Sequence, residues 1–226
     1  MRYSTLLLLA LFLTGILRAQ VNIVGLNLKA YTPTSSFNDN IKSTPVGVSV
    51  SYLRTIQNSR LSFGLEAGFA EYSREDVVTE FQGREIEIQA VDGFFNVHGV
   101  IRYDLLDFGW TTFYGEGKIG ATTFFTEYSL GHCPVAEEME YEGELTTHGS
   151  AFNLGLGAGI MINPTIFFDY DRESDFWIDF SVSTFSGSIS NYQVVKNDEQ
   201  SDKMSSERKS SLTNYLDYKI GVIFKL

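Results

Sequence analysis

The chain has 226 residues, of which 43% are hydrophobic, with 20 glycines and only four prolines. That length gives room for one domain or two small ones, and a mean hydropathy of −0.05 argues against helical membrane spans through the body of the chain. A formal charge of −11 argues against binding nucleic acid or anionic lipid head groups by bulk charge, and a single cysteine, Cys133, leaves no internal disulfide.

The chain opens on "MRYSTLLLLALFLTGILRAQ". Arg2 precedes an apolar run from Leu6 to Leu17, and Ala19 ends a polar segment. The run is too short for a spanning helix, which needs about 20 apolar residues. The layout is that of a secretory signal peptide. Cleavage after Ala19 is expected, dividing the chain into a signal peptide, 1–19, and a mature domain, 20–226. Loss of Arg2 and Arg18 takes the 17 basic residues to 15 against 28 acidic ones, so the charge goes from −11 to −13. Cys133 lies in a polar stretch and is expected to be an incidental loop thiol.

Eight segments of the mature chain alternate between an apolar and a polar or small parity, the signature of strands with two unlike faces. The first, 21–31, sets Val24, Leu26, Leu28 and Ala30 against Gly25, Asn27, Lys29 and Tyr31. The second, 45–55, sets Val46, Val48, Val50 and Tyr52 against Gly47, Ser49 and Ser51. The third, 60–72, opposes Leu61, Phe63, Leu65, Ala67 and Phe69 to Ser62, Gly64, Glu66 and Gly68. The fourth, 86–104, slips parity near Asp92–Gly93, which predicts a bulge there. Beyond the slip, Phe95, Val97, Ile101 and Tyr103 oppose Asn96, His98 and Arg102. The fifth, 111–124, sets Phe113, Ile119 and Ala121 against Tyr114, Glu116, Lys118 and Gly120. The sixth, 150–164, sets Phe152, Leu154, Leu156 and Ile160 against Asn153, Gly155, Gly157 and Gly159. The seventh, 175–186, carries Phe176, Ile178, Phe180 and Val182 opposite Asp179, Ser181 and Ser183, and the eighth, 212–226, carries Tyr218, Ile220, Val222, Phe224 and Leu226 opposite Asp217, Lys219 and Gly221.

Connections after the odd strands are long and polar (32–44, 73–85, 125–149, 187–211), and those after the even strands are shorter (56–60, 105–110, 163–175). Such sorting is what outer-membrane barrels show. Alternation alone does not say which face is wet. A soluble periplasmic barrel binding a ligand would turn the leucines inward, and a membrane barrel would turn them to lipid. Three features favour the second. The polar parity is rich in glycine and serine, which suit a crowded barrel interior. Its charges balance: Lys29, Arg102, Lys118 and Lys219 against Glu66, Glu116, Asp179 and Asp217. Enclosed charges must be paired, whereas charges in bulk water need not be. The apolar parity holds no charge, and aromatics gather near strand ends. Tyr52, Tyr103, Trp110, Phe176 and Phe224 are expected in a girdle toward the short turns, and Phe69, Tyr72 and Phe124 in one toward the long loops.

This combination of signal peptide, eight alternating strands, sorted loops and an apolar last strand resembles small outer-membrane β-barrels of the OmpA/OmpX type, within the porin-like barrel superfamily. The resemblance covers residues 21–226. It implies an all-β fold, an eight-stranded antiparallel up-and-down transmembrane barrel with both termini periplasmic. The family usually ends on an aromatic residue, and Leu226 departs from this, with Phe224 in the same register.

Eight strands leave an interior that side chains fill. An internal polar network is therefore expected from Lys29, Glu66, His98, Arg102, Glu116, Lys118, Asp179, Asp217 and Lys219. Lys29 and Asp217 should meet where the first and last strands close the ring, and Glu66 and His98 should sit at matching heights. His148 and Ser150 have the spacing of a base and nucleophile on one strand face, but no strained nucleophile turn accompanies them, and a non-enzymatic role is expected. His132 with Cys133 falls short of a metal-ligand set, so neither metal nor cofactor is expected. "DYDRESD", 169–175, lacks the glycine and terminal glutamate of a calcium loop and is expected to be a solvated turn. "VAEEMEYEGE", 135–144, concentrates five glutamates, either a solvated face or a patch for divalent cations at a lipopolysaccharide surface. Residues 196–211 mix charges without aromatics and are expected to be mobile. The expected partners are membrane lipid and lipopolysaccharide, with an extracellular partner through loops 125–149 and 187–211. A structural or surface role, a narrow passive pore and a lipid-modifying enzyme are the functions such a barrel could serve.

Overall fold

The computed structural model describes residues 21–81, 84–130, 144–167, 176–198 and 203–226. The expected signal peptide, His132, Cys133, the acidic stretch as far as residue 143 and the 169–175 turn lie outside the described residues.

Among the described residues ten strands follow one another: β1 (Val21–Pro33), β2 (Val46–Thr55), β3 (Leu61–Phe81), β4 (Arg84–Asp107), β5 (Thr111–Leu130), β6 (Glu144–Ile162), β7 (Phe176–Gly187), β8 (Ile189–Asp198), β9 (Lys203–Leu212) and β10 (Tyr215–Lys225). Each of β1 to β7 pairs antiparallel with its neighbour in sequence, and β10 pairs with both β7 and β1, which closes an eight-stranded barrel. Closure matters energetically, because an open edge would leave backbone donors and acceptors unpaired in lipid. β8 and β9 form a separate two-stranded hairpin.

The period-two pattern decides which side chains face out. Leu156 is 72% exposed on the barrel exterior, and Lys29 on the opposite parity is 2% exposed. Leu26, Leu28, Val48, Leu65, Ile101, Ile119, Leu154 and Ile220 share the outer face. A soluble barrel with its leucines inside is thus overturned: the apolar parity is the exterior, and the charges are enclosed. At the short-turn end Tyr52, Tyr103, Trp110 and Phe224 are also exposed. The two tight turns there use left-handed residues, Asn58 at φ 56° and Gly109 at φ 81°. The Gly109 amide donates to Asp107 Oδ1 at 2.9 Å, which holds the second turn.

Four expectations need correction. The bulge lies in β3 and not in β4: Glu71 faces Gly93 and Ser73 faces Asp92, so Tyr72 is the extra residue. β4 keeps its even residues inward from Ala90 to Arg102. Its apparent slip arises because Val91 is covered too and the Phe125 ring lies against Gly93, so both parities are sheltered there. Tyr72 and Phe124 do not belong to an outer girdle, because both point into the barrel and are buried. The 73–85 connection is mostly strand, since β3 and β4 run on past the barrel as a hairpin. The 187–211 connection, whose 196–211 part is expected from composition to be mobile, is paired strand over most of its described residues. It holds β8 and β9, whose backbones pair from Ile189–Leu212 to Asp198–Lys203 and satisfy each other despite the polar composition of β9.

The β1–β2 connection carries one short helix, α1 (Ser36–Asn40), whose Phe37 is buried. Phe37 sits edge-on to Phe124 and Tyr192, so α1 and the β8–β9 hairpin meet over the long-loop mouth.

Candidate functional site

The barrel interior is built in three layers. At the long-loop end is an aromatic cap of Tyr31, Phe37, Tyr72, Phe94, Phe124, Phe185, Tyr192 and Tyr215 with Ile41. At the short-turn end is an apolar floor of Ile23, Leu53, Val100, Tyr114, Met161, Trp177 and Ile223. Between them lies a belt of charge.

The belt follows from strand periodicity. Interior positions recur every second residue, so Lys29 on β1, Glu66 on β3, Arg102 on β4, Glu116 and Lys118 on β5, Asp179 on β7 and Asp217 and Lys219 on β10 all point to the axis. Lys29 Nζ lies 2.6 Å from Glu66 Oε1 and 2.7 Å from Asp217 Oδ2. Lys118 Nζ lies 3.3 Å from Glu66 Oε1 and 3.0 Å from Glu116 Oε1. Arg102 Nη2 lies 3.1 Å from Glu116 Oε2 and 3.7 Å from Asp179 Oδ2, and Lys219 Nζ is 2.8 Å from Asp179 Oδ2. Four cations and four anions form one connected chain. Each charge is buried, and an unpaired one would carry a penalty of several kcal/mol.

Neutral groups complete the belt. The Arg102 guanidinium lies over the Tyr114 ring, 3.9 Å from its centroid, and the Tyr114 hydroxyl donates to Asp179 Oδ1 at 2.5 Å. Ser183 donates to Glu116 Oε1 at 3.2 Å. His98 is the register partner of Glu66 and packs 5.0 Å from the Phe185 ring. Neither of its ring nitrogens has a hydrogen-bond partner among the described residues, so His98 borders the belt without joining its ion pairs. The residues missed from sequence are the aromatics of the polar parity, Tyr114, Phe185 and Tyr215. Their signal was an aromatic ring where small or charged residues dominate, which marks the layers above and below the charges.

His148 and Ser150 do not form a base–nucleophile pair. β6 is bulged at His148, since Phe124 faces Gly149 and Phe125 faces Thr147. The bulge breaks the shared parity. His148 Nε2 lies 2.7 Å from the Thr126 hydroxyl inside, and the Ser150 hydroxyl lies 2.9 Å from that of Thr123 outside. Among the described residues no group of three metal-ligating side chains is assembled.

An eight-stranded antiparallel up-and-down barrel, apolar outside and ionic inside, is the architecture of the small outer-membrane β-barrels of the OmpA/OmpX type. Among solved structures the chain is similar to Neisserial surface protein A, with 10% identity, a TM-score of 0.50, and 92% of this chain and 99% of that one covered. It is also similar to a major outer membrane protein from Thermus thermophilus (11% identity, TM-score 0.44, 91% and 99% covered) and to Ail, the attachment invasion locus protein of Yersinia pestis, solved with a heparin analogue (14%, 0.42, 91% and 97%). No protein-family profile and no curated protein sequence matches the chain. At such identities the likeness is one of fold.

Proposed function

We propose that the chain is exported by a signal peptide cleaved after Ala19 and resides in an outer membrane, with its long loops outward and both termini periplasmic. Its role is structural or adhesive: it seals its own lumen and presents its loops, the β8–β9 hairpin among them, at the cell surface. Membrane lipid and lipopolysaccharide are the partners of its outer face, and an extracellular partner is expected at 125–149 and 187–211. The observation that carries this reading is the filled lumen: among the described residues an aromatic cap, a connected ion-pair belt and an apolar floor occupy the barrel interior. The separate engagements of His148 and Ser150 favour a non-enzymatic role.

Reconstitution of the purified barrel in planar lipid bilayers tests it. The expected outcome is a silent membrane over a range of voltages. Reproducible unitary openings would replace this reading with that of a narrow passive pore.

A further inference from the structure

The lumen is full, so recognition falls to the long-loop end. There the β8–β9 hairpin crosses the mouth. Its base is tied to β6, where the Ser188 amide donates to the Phe152 carbonyl at 2.8 Å. Its middle is pinned by Tyr192, fully buried, whose hydroxyl accepts from Asn40 Nδ2 at 2.8 Å. Its far side is tied to β3, where the Tyr72 hydroxyl donates to the Gln193 carbonyl at 2.7 Å. Next to that last tie a cleft of about 360 Å³ opens between three segments far apart in sequence: residues 39–43 at the end of α1, the β3 residues beside Tyr72, and the hairpin.

We infer that this cleft is a binding site for a small uncharged saccharide. Its wall chemistry selects that class. Asp39 and Lys42 stand on the α1 side, Glu75 on β3 and Lys209 on the hairpin, where Lys209 also pairs with Glu207. Two carboxylates and two ammonium groups face the cleft, so a ligand of either net charge meets as many like charges as opposite ones and neither sign is favoured. An apolar ligand would strip water from four charges without replacing their hydrogen bonds, which is costly. A sugar hydroxyl both donates and accepts, so a polyol can bond to carboxylate and ammonium together while carrying no charge of its own. The Asn40 side-chain oxygen adds an acceptor, and the Ser73 hydroxyl both a donor and an acceptor. Ile41 and Val194, both buried, close the floor of the cleft. The volume lies toward the small end of the usual range for ligand sites, about 300–1,000 Å³, which fits one or two sugar units. Because the walls belong to both hairpin and rim, an occupant would tie the hairpin down over the cap.

The biological sense of this site rests on the outward orientation proposed above, so its test keeps the two apart. The full mature barrel is folded into lipid nanodiscs, and saturation-transfer NMR is recorded with glucose, galactose and N-acetylglucosamine. Glucosamine and glucuronate serve as charged comparators. The expected result is transfer to at least one neutral sugar, with both charged comparators weaker. Asp39→Asn and Lys209→Gln should each weaken binding about fivefold, because each variant keeps a neutral hydrogen bond in place of a charge-assisted one. No transfer from any neutral sugar, binding unaltered in both variants, or tightest binding of a charged comparator would overturn the inference. Orientation is read independently, by maleimide labelling of Ser73→Cys in a Cys133→Ser background on intact cells. Unlabelled cells would defeat the outward reading and leave the nanodisc result standing.

Discussion

Glu66 is shared by two cations, Lys29 at 2.6 Å and Lys118 at 3.3 Å. Replacing it with glutamine keeps the shape and removes the charge, which leaves two buried ammonium groups competing for Asp217 and Glu116. Breaking a buried pair from one side costs about 3–5 kcal/mol, far more than the net worth of the intact pair. Glu66→Gln should therefore lower the urea midpoint of the barrel in lipid vesicles clearly, as followed by the fluorescence of interior Trp177. A midpoint equal to wild type would mean that the belt is not a connected system. The belt residues were legible in the sequence because strand period places charges on one parity with no other information. Which cation meets which anion was less so. Ring closure anticipated that Lys29 would meet Asp217, and it does at 2.7 Å, but not that it would also reach Glu66 on β3 at 2.6 Å, because side-chain reach is not a property of spacing.

At the scale of elements, β6 shows what a strand contributes by having almost no side chains on its lumen face from Gly155 to Gly159. Gly155 and Gly159 turn bare backbone to the lumen, and the rings of Phe185 and Tyr114 occupy the room. A β-carbon at Gly155 would come within 2.6 Å of the Phe185 ring, which itself bears on His98 and Tyr215. Gly155→Val should thus act as overpacking, at about 1–3 kcal/mol, and should lower the temperature at which the folded band converts to the unfolded band on a detergent gel. An unchanged conversion temperature would show that the cap yields freely. The β8–β9 hairpin was the element least visible beforehand. "SNYQVV" in β8 carries a weak alternation, with Ser190, Tyr192 and Val194 inward. β9, "KMSSERKSSL", has none, and it is a strand only because β8 lies beside it. Pairing of this kind comes from a neighbour, so a window of its own residues could not announce it. The β3 bulge was missed similarly: Tyr72 is the extra residue, and only its partner register identifies it.

For the molecule as a whole, the decisive fact is that the exterior is more apolar than the interior. Leu156 stands near the middle of the β6 outer stripe, between Leu154 and Ala158. An arginine there would face hydrocarbon, at a cost of about 2–4 kcal/mol in barrels of this kind. Leu156→Arg should fold less completely into bilayer vesicles, measured as the folded fraction at equilibrium in urea. Equal folding of variant and wild type would mean that this face does not meet lipid. The inside–outside choice was readable from charge balance and loop sorting together, though from neither β6 nor any other strand alone.

The belt also has a consequence for assembly. It recruits side chains from β1, β3, β4, β5, β7 and β10 and skips β2 and β6. Lys29 belongs to the first strand of the ring and Asp217 to the last, 188 residues later in the chain. Until those strands zip together, Lys29 has only Glu66 of its two carboxylate partners and Asp217 lacks its nearest cation, so a half-built sheet entering hydrocarbon would carry Asp217 undercompensated. The pairs that reach β10 therefore favour the finished ring over an open sheet, and their loss should show in the yield of closed barrels.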